Sequence, residues 1–205
     1  MLASRMLAKM SNSPREDAVV DSKHVVQFYE DDQLLCEILT DFAGEGLEKG
    51  EAVILVATAL HRAEVEGRLA RRGLDVRGLA GAGQLVLLDA RRTLEALMVE
   101  GQPDAALFVS TLRAVVAAAS LDWTRAVRVY GEMVDLLWRA GNHGGAIHLE
   151  ETWNAFARTT STRVLCGYAM ENFAGGGDSA DFARVCGVHT DVQLADGARL
   201  RGGTS

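Results

Sequence analysis

Six apolar residues in unbroken succession, Ala52 to Ala57, constrain the fold of this chain more than any other feature. A strand with one wet face alternates apolar and polar residues. A run with no polar position is buried on both faces, which requires a sheet covered by helices on each side. Further strand-like runs at His24 to Tyr29, Leu85 to Asp89, Val127 to Tyr130 and Arg163 to Tyr168 are separated by segments of helical periodicity. That alternation needs crossover connections. The expected fold class is therefore α/β, three layers around a mainly parallel sheet of about five or six strands.

The helical segments carry their own punctuation. Leu34, Leu35, Ile38, Leu39 and Phe42 recur at helical spacing behind Asp31 or Asp32 as N-cap, and the helix is predicted to fray near Gly44 and Gly46. Thr58 is placed to cap the next helix, with Val65 and Leu69 inward, Arg71 and Arg72 in the last turn and Gly73 as the stop. A helix is expected from Thr93 to Glu100. Pro103 suits the first turn of a nearly all-apolar helix, Asp104 to Ala119, predicted to lie between the sheet and a partner. Shorter helices follow at Glu132 to Ala140, around Leu149, Trp153, Phe156 and Ala157, and at Ser179 to Cys186. Residues 1–22 and 195–205 lack an apolar face and are expected to be flexible tails on one domain, 23–194.

The strand-to-helix junction His24-Val-Val-Gln-Phe-Tyr-Glu-Asp-Asp-Gln33 occupies the place where many α/β proteins cradle phosphate. Such a loop needs glycines that expose backbone N–H groups and a lysine that meets the phosphates. This one offers Glu30, Asp31 and Asp32, and the whole chain has three lysines, Lys9, Lys23 and Lys49, none in a Gly-Lys-Ser/Thr sequence. The phosphate loop is degenerate, so ATP binding and hydrolysis are not expected.

Charge and composition exclude further classes. A formal net charge of −7 over 205 residues opposes a nucleic-acid surface, and the arginine clusters at Arg68, Arg71, Arg72 and at Arg91, Arg92 read as solvated helix faces. Cys36, Cys166 and Cys186 are widely spaced and odd in number, which fits a reducing cytoplasm rather than a disulfide framework. No segment reaches membrane-spanning length. The sequence contains no Gly-x-Ser-x-Gly elbow, no HExxH and no dinucleotide fingerprint, so the chain is not expected to be an enzyme.

In open parallel sheets ligands bind beyond the carboxyl ends of the strands. Candidate ligand-binding residues are accordingly Tyr29, Glu30 and Asp31; Thr58 and His61; Asp89 and Arg91; Gly131 and Glu132; and Tyr168, Met170 and Asn172. Tyr29, Thr58, Glu132 and Tyr168 are expected to share one crevice. Glu132 stands out as a carboxylate at an otherwise apolar junction, which needs a partner or a ligand, although a bond to its own first helical turn would also serve. His24 is expected to hydrogen-bond to backbone. His143 and His148, with Glu150 near in sequence, fit no standard zinc spacing, and no metal or other cofactor is expected. Trp138 and Trp153 read as core anchors, and Cys166 as an inert buried thiol.

Six blocks in order carry a resemblance: His24-Val-Val-Gln-Phe-Tyr-Glu-Asp-Asp32, Gly46-Leu-Glu-Lys-Gly-Glu51, Gly83-Gln-Leu-Val-Leu-Leu-Asp-Ala90, Gly131-Glu-Met-Val134 with Leu137-Trp138, Leu149-Glu-Glu-Thr-Trp153, and Leu165-Cys-Gly-Tyr168. Over Lys23 to Leu194 the chain resembles the MEDS sensory domain, a family named for methanogens, methylotrophs and a regulator that responds to dichloromethane. The resemblance implies a RecA/KaiC-like fold without a working phosphate loop. It also implies a stand-alone module of bacterial signal transduction and transcription regulation that senses a small organic molecule. Its partner would be a histidine kinase, an anti-sigma factor or a DNA-binding regulator, with no direct nucleic-acid or membrane contact and room for a homo-oligomer. A degenerate KaiC-like protein that retains nucleotide binding, or a ligand-free interaction adaptor, are the alternatives.

Overall fold

The computed structural model describes residues 24–121, 123–160, 162–174, 179–194 and 199–201, so the expectation for residues 1–22 falls outside it. In chain order the elements are β1 (His24–Tyr29), α1 (Asp32–Glu48), β2 (Ala52–Ala57), α2 (Ala59–Arg71), α3 (Val76–Gly81), β3 (Leu85–Asp89), α4 (Ala90–Leu97) and β4 (Met98–Val99). There follow β5 (Gln102–Pro103), α5 (Ala105–Ala119), β6 (Val127–Gly131), α6 (Met133–Arg139), α7 (His143–Thr160) and β7 (Arg163–Ala169). A 3-10 turn (Met170–Phe173), α8 (Ser179–Val188), β8 (Asp191–Gln193) and β9 (Arg199–Arg201) complete it. The main sheet has the order β3-β2-β6-β7-β1-β8-β9. All its pairings are parallel except β8 with β9.

All six residues of β2 are buried, as a strand at the middle of a covered sheet requires. Successive residues face opposite layers. Ile54, Val56, Val129, Phe28 and Tyr168 pack with α4 to α8, whereas Val53, Leu55, Tyr29 and Tyr130 pack with α1 to α3. The three-layer α/β expectation holds.

Several local expectations do not. The helix α1 runs through Gly44 and Gly46 to Glu48 without fraying. A Cβ on Gly46 would stand 2.9 Å from Val53 Cγ2 and 3.0 Å from Arg128 Cδ, so here glycine provides close approach to the sheet rather than a break. Pro103 lies outside α5, in a two-residue strand paired with Met98, and Asp104 caps the helix by accepting from Leu107 N at 2.8 Å. Helix α5 buries one stripe, Phe108, Leu112, Val116 and Ala119, and its other positions hold Ala106, Leu107 and Ala114 toward solvent. Alanine favours helix without demanding burial, so apolar composition overstated how much of the helix is covered. Helix α3 was not anticipated; Asp75 caps it through Gly78 N at 3.0 Å. Nor does α8 close the fold, because β8 extends the sheet and Arg199–Arg201, assigned to a tail from its sequence, pairs with it.

Candidate functional site

The carboxyl ends of β1, β2, β6 and β7 converge because these strands are parallel and share one sheet edge. Glu132 follows β6 immediately, and its N–H continues the ladder by donating to Val56 O at 3.0 Å. That bond holds the side chain against the β2–α2 junction. Oε2 accepts from Thr58 N at 2.7 Å, and Oε1 lies 2.8 Å from His61 Nδ1. The other ring nitrogen of His61, Nε2, is 3.2 Å from Asp32 Oδ1. Glu132 is 2 % exposed and the Asp32 side chain 70 %, so Glu132, His61 and Asp32 form a line from core to solvent. Burial alone would lower the His61 pKa, but the bonds and charges of Glu132 and Asp32 outweigh it and the net shift is upward. Protonated His61 is the form this line favours.

A second buried carboxylate sits one helical turn on. Asp135 accepts from Ala169 N at 3.0 Å, Asn172 Nδ2 at 2.6 Å and Arg139 Nε at 2.7 Å, with the Tyr29 hydroxyl at 3.5 Å. Burial raises its pKa despite the opposing Ala169 N–H and Arg139. Burial, then Asp135 and Glu132, also raise that of Tyr29. Sequence reasoning missed Asp135, although its position three residues after Glu132 on a helix leaving a strand end was a usable signal.

The remaining candidates divide. Tyr29, Thr58, His61, Glu132, Met170 and Asn172 gather at this edge, with Glu30, Asp31 and Asp32 exposed on its rim. Asp31 turns its carboxylate onto Leu34 N at 2.8 Å and so caps α1 itself. Asp89 caps α4 through Arg92 N at 3.0 Å and pairs with Arg62 at 2.6 Å; the Arg92 N–H first, then Arg62, lower its pKa despite burial. Arg91 is exposed on α4, and Gly131 leaves room for Trp153. Tyr168 does not join the crevice. The strand pleat directs it to the opposite layer, among Phe28, Trp138 and Phe173. Two further readings are corrected: Thr58 stands at the N-cap position without a side-chain cap bond, and Glu132 bonds across to α2 rather than to its own first turn.

An open depression of about 380 Å³ lies at the opposite, amino-terminal edge, lined by Lys49, Glu51, Leu121 and Arg125 among others. It contains none of the sequence-nominated residues.

The histidines also differ from expectation. His143 stacks on Trp138 at 4.3 Å and lies 3.3 Å from Asp181, and His148 is exposed, so neither meets buried Glu150. Instead of backbone, the His24 ring meets Asn154 Oδ1 at 3.1 Å and Cys166 Sγ at 3.3 Å. Burial pushes the Cys36 thiol up to about 11 and that of Cys186 to about 12, which makes both poor nucleophiles. Among the described residues no helix is long and apolar enough to cross a membrane.

A search of curated proteins returns no match. Among solved structures the fold is similar to that of a KaiC-like protein from the hyperthermophilic archaeon Pyrococcus horikoshii, with a TM-score of 0.56 and 13 % identity over 84 % of this chain and 71 % of that one. At that identity the likeness concerns fold alone. Residues 23–190, nearly all of the sheet and its helices, match the methanogen/methylotroph, DcmR sensory domain. With the acidic strand-end loop in place of a phosphate cradle, on a KaiC-like fold, the chain belongs to the MEDS sensory domain family.

Proposed function

We propose that this domain senses a small, neutral or cationic organic molecule at the carboxyl edge of its sheet and reports it to a partner signalling protein. The partner class is a histidine kinase, an anti-sigma factor or a DNA-binding regulator. The family is one of sensory domains, which supports a regulatory role. One observation carries the ligand class: the α1 N-terminus, where a related nucleotide-binding fold would receive phosphate, is capped by Asp31 and rimmed by Glu30 and Asp32. Fixed negative charge at that end repels anions and accepts donors. Behind the rim, the Asp32–His61–Glu132 line offers a way to pass a change at the surface into the core. A ligand that competes for Asp32 would release one side of His61, and Glu132 ties that ring to the start of α2.

Thermal-shift measurements on the wild type and Glu132→Gln, across neutral, cationic and phosphorylated small compounds, test this reading. The expected result is stabilisation of the wild type by members of the first two groups, with the shift lost or reduced in the variant. Equal shifts in both proteins, or hits confined to phosphates, would contradict it.

A further inference from the structure

On the far side of the sheet from the Tyr29 layer, four side chains from four parts of the chain meet in the core: His24 at the start of β1, Glu150 on α7, Cys166 in β7 and His189 just after α8. Each is at most 2 % exposed. Their ligand-type atoms all lie within 4.8 Å of one another. His24 Nε2 is 3.1 Å from Glu150 Oε2 and 3.3 Å from Cys166 Sγ, and His189 Nε2 is 3.3 Å from the same Glu150 oxygen.

These separations match a metal polyhedron. A tetrahedral centre with bonds of about 2.0–2.3 Å has edges of roughly 3.3–3.8 Å, so two of the contacts sit at that edge length, the third falls just under it, and no separation exceeds it by more than about 1 Å. Side-chain rotation closes a gap of that size. Despite these short distances, both Glu150 oxygens and His189 Nε2 make no hydrogen bond. Their separations are those of an ion pair, 3.1 Å and 3.3 Å to Glu150 Oε2, without the alignment of a hydrogen bond.

The outer partners fix which ring nitrogen carries the proton. Val185 O, which can only accept, lies 2.7 Å from His189 Nδ1. Asn154 commits its amide nitrogen to Val188 O and so turns its oxygen to His24 Nδ1 at 3.1 Å. Both rings therefore donate outward from Nδ1, so that each, when neutral, presents an Nε2 lone pair inward, the arrangement found around metal-bound histidines. Facing them is a carboxylate, which also only accepts. A buried carboxylate needs positive charge beside it, which either an imidazolium proton or a bound metal ion supplies.

We propose that His24 Nε2, His189 Nε2, Cys166 Sγ and Glu150 hold one divalent cation of the zinc class in a closed, four-ligand structural site. Binding releases the Cys166 thiol proton to solvent, and the ion's two positive charges are balanced by one thiolate and one carboxylate. The neutral result suits a site without solvent. Nitrogen and sulfur ligands select zinc or cobalt over magnesium and calcium, and four protein ligands leave no open position for catalysis. The ion would tie β1 and β7 to α7 and to the segment after α8. Next to it, Thr190 already clamps the chain by donating to His24 O at 2.9 Å from N and 2.6 Å from Oγ1. This role is separate from ligand sensing at the sheet edge.

Cobalt(II) titration of the reduced, full-length chain, with metal analysis of the protein as purified, tests the proposal. The expected result is one equivalent of cobalt in a tetrahedral ligand field with a thiolate-to-cobalt charge-transfer band. Zinc should displace it and raise the melting temperature. The band should vanish in Cys166→Ser and persist in a Cys36→Ser, Cys186→Ser double variant, which keeps the assignment testable if Cys166→Ser does not fold. Failure of the wild type to take up cobalt, or a band that survives Cys166→Ser or is lost in the double variant, would overturn the site. The first of those results would leave an imidazolium–carboxylate pair in its place.

Discussion

His61 is the residue whose surroundings were least visible beforehand and whose chemistry is now most specific. It was nominated because it follows the end of β2, but its partners, Glu132 and Asp32, come from beyond β6 and β1. Sequence placed all three at strand ends. It could not give the distances, because contacts across a sheet depend on strand order rather than chain order. The pairing has a pH signature with a definite sign. The His61 pKa is raised on folding, so its contribution is fully present below the unfolded value near 6.5 and is lost as pH rises through the folded value. Replacing His61 with Gln is expected to cost about 1.5–3 kcal/mol at pH 6, the range for bonds to charged groups. Denaturation of both proteins from pH 6 to 9 should show that difference shrinking; a constant or widening gap would mean that His61 acts as a neutral donor. The His24 cluster was illegible for a related reason. Its members are 24, 150, 166 and 189, so no local spacing announces them.

At the scale of elements, strand runs were legible and helix surroundings were not. The five sequence-predicted strands coincide with β1, β2, β3, β6 and β7 to within a residue, because each is a short, mainly apolar run bounded by polar or glycine-containing segments, unbroken in β2. The short β4, β5, β8 and β9 contain no such run. Residue type without its neighbours misleads in the helices: glycine in α1 predicts fraying where it allows close packing, and alanine in α5 predicts burial where it faces solvent. Gly46→Ala decides the first case. Its Cβ would meet Val53 and the Arg128 stem, and Arg128 is held by Glu51, so the neighbours cannot simply withdraw. The expected loss is about 1–3 kcal/mol by chemical denaturation, in line with overpacking of a fitted core. A stabilised variant would show that the helix gains more from alanine's propensity than the contact costs.

For the whole molecule, the loop after β1, rather than the strand order, distinguishes this chain from a phosphate-binding fold. The sheet retains the parallel arrangement whose carboxyl edge receives ligands, and the structural likeness to a KaiC-like protein reflects that arrangement. At β1, however, the chain fills the helix terminus with its own Asp31 and surrounds it with Glu30 and Asp32. Such an end is electrostatically complementary to donors and unfavourable to phosphate. Calorimetric titration of the full chain with ATP and magnesium tests this most directly. The account predicts no saturable heat of binding up to millimolar nucleotide, whereas magnesium-dependent binding with a micromolar dissociation constant would contradict it.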